Sequence, residues 1–317
     1  MPRWASFLIL LALASCGKSE PAEPASLRDA VAVGAPPLAA WASLLLHETP
    51  IEVEPLYADE GPTGSTTPPR ARLAAARTAK LVVLFGPSFE KWARQAALPS
   101  TRTVQLGEGL RDRLLEVEER THAHGAQGEH THKGVDGRSW LDPALAREQA
   151  RRLATELCAR FPEHAASITL QAAELEQRLS QLEAALADHR EALAAETVLV
   201  QHGHGLAYLA RIWGGPTQEL ELDLDQKLGT SDWNRVRAAI TGAGGLLLLS
   251  DEPAAALRAQ LETELKLQLV VIPTGEGAID PAAVEGLRFG AWWQRQAGLT
   301  QALPDAVEAL LASRAGE

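Results

Sequence analysis

The chain of 317 residues is 46% apolar, 22% charged and 5% aromatic, a globular composition with room for two cores, and not that of a disordered, collagen-like or polytopic membrane protein. Its 41 acidic and 30 basic side chains give a net charge of −11, which disfavours nucleic acid as a partner and suits a cationic one. Two cysteines, Cys16 and Cys158, are too few for a disulfide framework.

In chain order, Arg3 precedes an apolar run, Phe7 to Leu13, that is too short to span a bilayer. Leu13-Ala14-Ser15-Cys16 follows, the pattern of a bacterial lipoprotein signal with Cys16 as the lipidated residue, so 1–16 reads as signal peptide. Residues 17–26, with Pro21 and Pro24 among polar neighbours, read as a flexible tether. Strand candidates then lie at Ala30 to Val33, Ile51 to Val53, Leu81 to Phe85 and Thr103 to Leu106, alternating with helical spacing at Leu38 to Leu46 and Arg70 to Ala79. That alternation predicts a parallel sheet covered by helices, an N-terminal α/β lobe over 27–141. Residues 107–139 interrupt it: they are polar and rich in glycine and histidine, which predicts a long loop with its His-rich part at 121–133.

From Asp142 the spacing turns helical, first Pro143 to Arg160, then His164 to Ala195 as one long helix. Ile168, Ala172, Leu175, Leu179, Leu182, Leu186 and Leu193 make an apolar stripe along the second. At 1.5 Å per residue it reaches ~48 Å, a length suited to bracing two domains, so 142–196 reads as a helical connector. Cys158 falls in an amphipathic stretch and reads as a buried, inert thiol. Strand candidates return at Thr197 to Val200, Glu219 to Leu222, Leu246 to Leu249 and Leu269 to Ile272, with helical stretches at 206–212, 231–241, 253–264 and 281–296. They predict a second α/β lobe over 197–317.

Several stretches occur in a telling order: Ala35-Pro36-Pro37-Leu38 after the first strand; Phe89-Glu90-x-Trp92 shortly after Gly86; Trp140-Leu141-Asp142-Pro143 straight after the His-rich insertion; and Tyr208-Leu209-Ala210-Arg211 with Trp213-Gly214 after a strand ending near His202. Together with two lobes on one long helix, they resemble the solute-binding lipoproteins of zinc and manganese ABC transporters. The resemblance implies an α/β fold of two lobes, each a mostly parallel sheet flanked by helices, joined by one long helix. It implies a monomeric binding protein and not an enzyme, lipid-anchored outside the cytoplasm, that captures zinc or another divalent transition metal such as manganese for an ABC transporter permease. It also implies four metal ligands between the lobes. The first lies in a loop after the second strand, where residues 61–69 hold no histidine; the second stands two residues before Trp140, where this chain has Arg138. The third falls at His202, with His204 its rival, and the fourth is an acid after the last core strand, where Thr274 stands and Glu276 or Asp280 could substitute.

The residues themselves point to metal chemistry. His122-x-His124 and His130-x-His132 place four of the nine histidines within a short tract, and imidazole suits zinc, copper(II) and nickel. His202-Gly203-His204-Gly205 follows a strand, and ligand sites of open α/β sheets lie at strand carboxyl ends. Glu219, Glu221, Asp223 and Asp225 alternate, which predicts one shared acidic face. His47 reads as a helix cap, and His164 and His189 as structural or exposed. No P-loop, G-x-G-x-x-G, G-x-S-x-G or H-E-x-x-H motif is present. A lipoprotein of the same fold without a working interlobe site, acting as metal buffer, scaffold or sensor, is the alternative from a different class. A metal hydrolase using His202 and Asp251 is a third reading, in which no general base is placed.

Overall fold

A computed structural model describes residues 26–57, 64–86, 88–123, 129–240, 245–272, 274 and 304–312, with the backbone alone over 118–123 and 129–133. The N-terminal sheet holds β1 (Arg28–Val33), β2 (Glu52–Pro55), β3 (Ala79–Leu84) and β4 (Thr103–Gln105), all parallel, in the order β2-β1-β3-β4. Val31, Val33, Leu81 and Val83 enter one core, while Ala30, Ala32, Val82 and Leu84 enter another on the opposite face. Burial on both faces is why these strands read as nearly continuous apolar runs. Helix α1 (Pro36–Leu45) follows β1 at once, because Pro36 and Pro37 fix helical φ where no amide donor is needed. Helix α2 (Arg70–Ala76) precedes β3.

The segment expected to be a loop is instead largely an antiparallel hairpin of β5 (Glu116–Ala123) and β6 (Glu129–Val135). Its strands are polar apart from Val117, Ala123 and Val135, and are interrupted by glycine. Its root is anchored by Val135, buried in the N-terminal core, but the rest of the strands carries no hydrophobic alternation to read.

Helix α3 (Pro143–Arg160) starts where Asp142 Oδ1 accepts from the amides of Ala144 and Leu145, an N-cap. The long helix is shorter than expected: α4 (Ala165–Ala187) spans 23 residues, ~35 Å. A turn at Asp188 and His189 then separates it from α5 (Arg190–Leu193). The stripe nonetheless braces both lobes. Ile168, Leu175 and Leu179 belong to the N-terminal core, and Leu182, Leu186 and Leu193 to the C-terminal one.

The C-terminal sheet holds β7 (Val198–Gln201), β8 (Thr217–Leu220), β9 (Gly245–Leu249) and β10 (Leu267–Val271), parallel, in the order β10-β9-β7-β8. Read in chain order, this is the connectivity of the first sheet. Helices α6 (Ala207–Trp213), α7 (Thr230–Ala239) and α8 (Ala255–Ala259) and a helix at 304–312 accompany it. Strand β8 lies two residues earlier than the alternation suggested. It ends at Leu220, so only Glu219 of the four alternating acids lies on a strand, and the common acidic face is not formed. The expected helix at 281–296 lies outside the described residues. Cys158 is half-buried, with Sγ 3.8 Å from the Ala165 carbonyl oxygen. Among the described residues no helix is long and apolar enough to cross a membrane.

Leu175 is fully buried in the brace whereas Leu170 is 66% exposed on the same helix. Leu175→Ala is expected to cost about 2–5 kcal/mol and Leu170→Ala less than about 0.5 kcal/mol, measured by urea unfolding.

Candidate functional site

Both sheets reverse strand order between their first and third strands, and ligand crevices open at the carboxyl ends of strands at such points. In the N-terminal lobe this point is governed by Glu90. Its buried carboxyl accepts from the amides of Phe85 and Gly86, each at 2.9 Å. Burial pushes its pKa up to about 7, against the downward pull of those amides. Gln201 fills the same role in the C-terminal lobe. Its Oε1 accepts from the Ser250 amide at 2.9 Å and from the Ser250 hydroxyl at 3.0 Å, joining the ends of β7 and β9.

The turn held by Glu90 presents Phe89. Its ring stands 4.7 Å, edge-on, from Trp140, which stacks on Phe85 at 4.5 Å. Gly64 and Gly137 both lie against Phe89. A Cβ on Gly137 would come within 2.6 Å of the Phe89 backbone nitrogen, so the close approach requires glycine. The Arg138 guanidinium lies over Phe89 at 6.0 Å and pairs with Asp136 at 3.3 Å. On its other side is Gly205, at a φ of +70°, where a Cβ would meet the Arg138 Cβ at 2.7 Å.

The lobes meet along Asp136 to Asp142, where every second residue makes a cross-lobe contact. The Asp136 carbonyl accepts from the Tyr208 hydroxyl at 2.6 Å. Arg138 abuts Gly205. Trp140 Nε1 donates to the Thr274 carbonyl at 2.9 Å. Asp142 Oδ2 accepts from Arg211 Nη2. Burial pushes the Tyr208 hydroxyl well above its ordinary pKa, so it remains a donor.

The expected ligands fall in three places. His202 sits in the exposed turn after β7, its Nδ1 2.5 Å from Glu219 Oε2, and His204 is half-buried in the same turn. His122, His130 and His132 lie on the hairpin strands, with His122 register-paired to His130 and Glu119 to His132. His124, Glu276, Asp280 and Cys16 lie outside the described residues. Thr274 is buried and offers its backbone carbonyl to Trp140. Of the other histidines, His47 is exposed just beyond α1 and His164 precedes α4.

Among the described residues no three His, Cys, Asp or Glu side chains gather closely enough to hold an ion. On the N-terminal side of the junction Phe89, Trp140 and Arg138 present a ring pair and a fixed cation, which do not suit a bare metal ion. Sequence reasoning missed Asp136, Tyr208, Arg211 and Glu90 as the residues that build this junction. The Tyr-Leu-Ala-Arg stretch was the signal for Tyr208 and Arg211 and the Phe-Glu-x-Trp stretch for Glu90; neither stretch holds Asp136.

Two expectations follow. Glu90 binds its proton more tightly folded than unfolded, so its contribution to stability is full below about pH 4.5 and declines as pH rises to about 7. Relative to Glu90→Gln, the wild type is expected to lose about 2 kcal/mol of stability between pH 5 and pH 8, measured by denaturant unfolding at each pH. Arg138→His replaces a permanently charged group, which repels a divalent ion, with an imidazole that can coordinate one. Zinc affinity at pH 7.5 is expected to rise about tenfold in competition with a chromophoric chelator.

Residues 31–276 match the protein family described as zinc-uptake complex component A, periplasmic (ZnuA). Among solved structures, the metal-dependent lipoprotein YcdH from Bacillus subtilis is similar with a TM-score of 0.68 at 15% identity, over 87% of this chain and 98% of that one. The Zn(II)-bound ZnuA-like domain of Streptococcus pneumoniae AdcA is similar at 0.65 and 17% identity, over 88% and 98%. A crystal structure of ZnuA is similar at 0.62 and 18% identity, over 89% and 99%. At these identities the likeness to solved structures shows a shared fold. Comparison with individually curated proteins gives no match.

Proposed function

The chain belongs to the ZnuA family of periplasmic, metal-binding transport components, and from that premise we propose that it is a lipid-anchored extracytoplasmic protein that captures a divalent transition metal, zinc above others, for an ABC importer. The observation that carries this reading is the hairpin. Positions 122 and 130 are paired in register, and directly paired positions of antiparallel strands set their Cβ atoms about 4.5–5.5 Å apart. Two imidazoles on such a pair reach one ion with Zn–N contacts of ~2.0–2.1 Å. His124 and His132 complete the donor set, and His202, His204 and Glu276 supply donors on the C-terminal lobe. The cargo is bound, not transformed, in keeping with a family of transport components. Cys16 anchors the chain through the tether 17–26, ahead of the N-terminal lobe 27–141, the connector 142–196 and the C-terminal lobe 197–317. The partner is an ABC transporter permease, and the working form is a monomer.

A second reading has its own support. Arg138, paired with Asp136 over Phe89, stands where the resemblance implies an imidazole. A chain in which this guanidinium fills the junction holds metal on the hairpin alone, as a buffer, scaffold or sensor.

Zinc calorimetry on the full mature chain separates the two. Import predicts one tight site, lost in His202→Ala and weakened when residues 121–133 are removed. The buffer reading predicts binding lost on that deletion and unaltered in His202→Ala. No binding by the wild type overturns both. Because neutral imidazole is the donor, affinity falls as pH drops through the ordinary histidine range, ~6.5.

A further inference from the structure

We propose that helix α6 of the C-terminal lobe, through Tyr208 and Arg211, fixes the feet of the histidine-bearing hairpin and thereby presets its histidines for metal. The inference rests on the reading of that hairpin as the metal-capturing element.

The two residues flanking the hairpin are Leu115, just before β5, and Asp136, just after β6. They are joined to each other, the Asp136 amide donating to the Leu115 carbonyl at 2.8 Å. A single buried hydroxyl from the other lobe also holds both. Tyr208 Oη accepts from the Leu115 amide at 3.0 Å and donates to the Asp136 carbonyl at 2.6 Å. Arg211, one helical turn on, donates through Nη1 to the Arg113 carbonyl at 2.8 Å, two residues before Leu115. Its other arm pairs with Asp142, and its guanidinium lies 5.1 Å from the Tyr208 ring centroid. Helix α6 thus grips the incoming strand at two points and the outgoing strand at one, three links from another lobe at the ribbon's root.

A polar two-stranded ribbon is marginal in water by itself. Its pairing register decides which residues face each other, and beyond Val117 and Val135 at the root these strands have little apolar alternation to specify it. Here the register is set at the root, where Leu115 and Asp136 are pinned to one oxygen atom; it runs outward from Glu116 paired with Val135 to Glu119 paired with His132 and, past a shift between Glu119 and His122, is followed by the pairing of His122 with His130. An ion that meets a preset ribbon does not have to supply the ordering entropy, so affinity rises with preorganisation. Tyr208 and Arg211 are positioning residues in this scheme, distant from the ion.

Tyr208→Phe removes the oxygen and keeps the buried ring, and Arg211→Gln alters a partly exposed side chain. Hydrogen exchange on the zinc-free full chain is the first measurement. Both variants are expected to speed exchange at 116–123 and 129–135 about tenfold, on the scale of one or two lost hydrogen bonds, while β1, β3, β7 and β9 are unchanged. The second is titration with zinc alone, where both are expected to bind about three- to tenfold more weakly, with no such effect once 121–133 are removed. Unchanged hairpin exchange in both variants overturns the proposal. So does faster exchange with undiminished zinc affinity in a chain whose binding is lost on deleting 121–133. Zinc binding indifferent to that deletion overturns the metal-capturing reading itself, and the presetting role with it.

Discussion

The buried hydroxyl of Tyr208 is the interaction on which this architecture turns. A phenol oxygen taken from water must find partners, because an unsatisfied buried polar group costs more than a made hydrogen bond returns. Here its partners are the two ends of the hairpin. Satisfying one atom of the C-terminal lobe therefore closes the root of a structure that belongs in sequence to the N-terminal lobe. The neighbouring contacts extend that seam. Arg211 shares the Asp142 carboxylate with the amides that begin α3, so the start of the connector helix and the lobe junction depend on the same side chain.

Charge at the junction separates this chain from the arrangement its family resemblance implies. A guanidinium is permanently protonated, planar and suited to lying over an aromatic face. Arg138 does so over Phe89 while neutralised by Asp136. The result is a junction already supplied with its cation. Histidines stand on the hairpin strands and in the turn after β7, where His202 has Glu219 as its acidic partner.

The two lobes share one connectivity but also one brace. The leucines of α4 pass from one core to the other between Leu179 and Leu182. Opening the lobes at that handover would expose apolar surface, at about 25 cal/mol per Å², in addition to breaking the seam. The structure therefore favours small adjustments of turns and hairpin over wide hinge opening.

Periodicity and punctuation in the sequence sufficed for the strands, most helices and the bilobal plan. Runs such as Leu81 to Phe85, or the stripe from Ile168 to Leu186, can be buried in only a few ways, and Asp142-Pro143 announces a helix start by its own chemistry. The end of α4 at Ala187, the two-residue offset of β8 and the hairpin were not legible, because they depend on backbone pairing and turns that leave no apolar pattern. The histidines announced metal chemistry by type and crowding, but not where they would stand. That Arg138 meets Gly205 across nearly 70 residues, or that Tyr208 reaches Leu115 and Asp136 at once, is a matter of long-range packing. Local sequence sets which elements form; only the closing of one lobe on the other determines which side chains share a space, because each contact there unites residues whose separation along the chain carries no pattern.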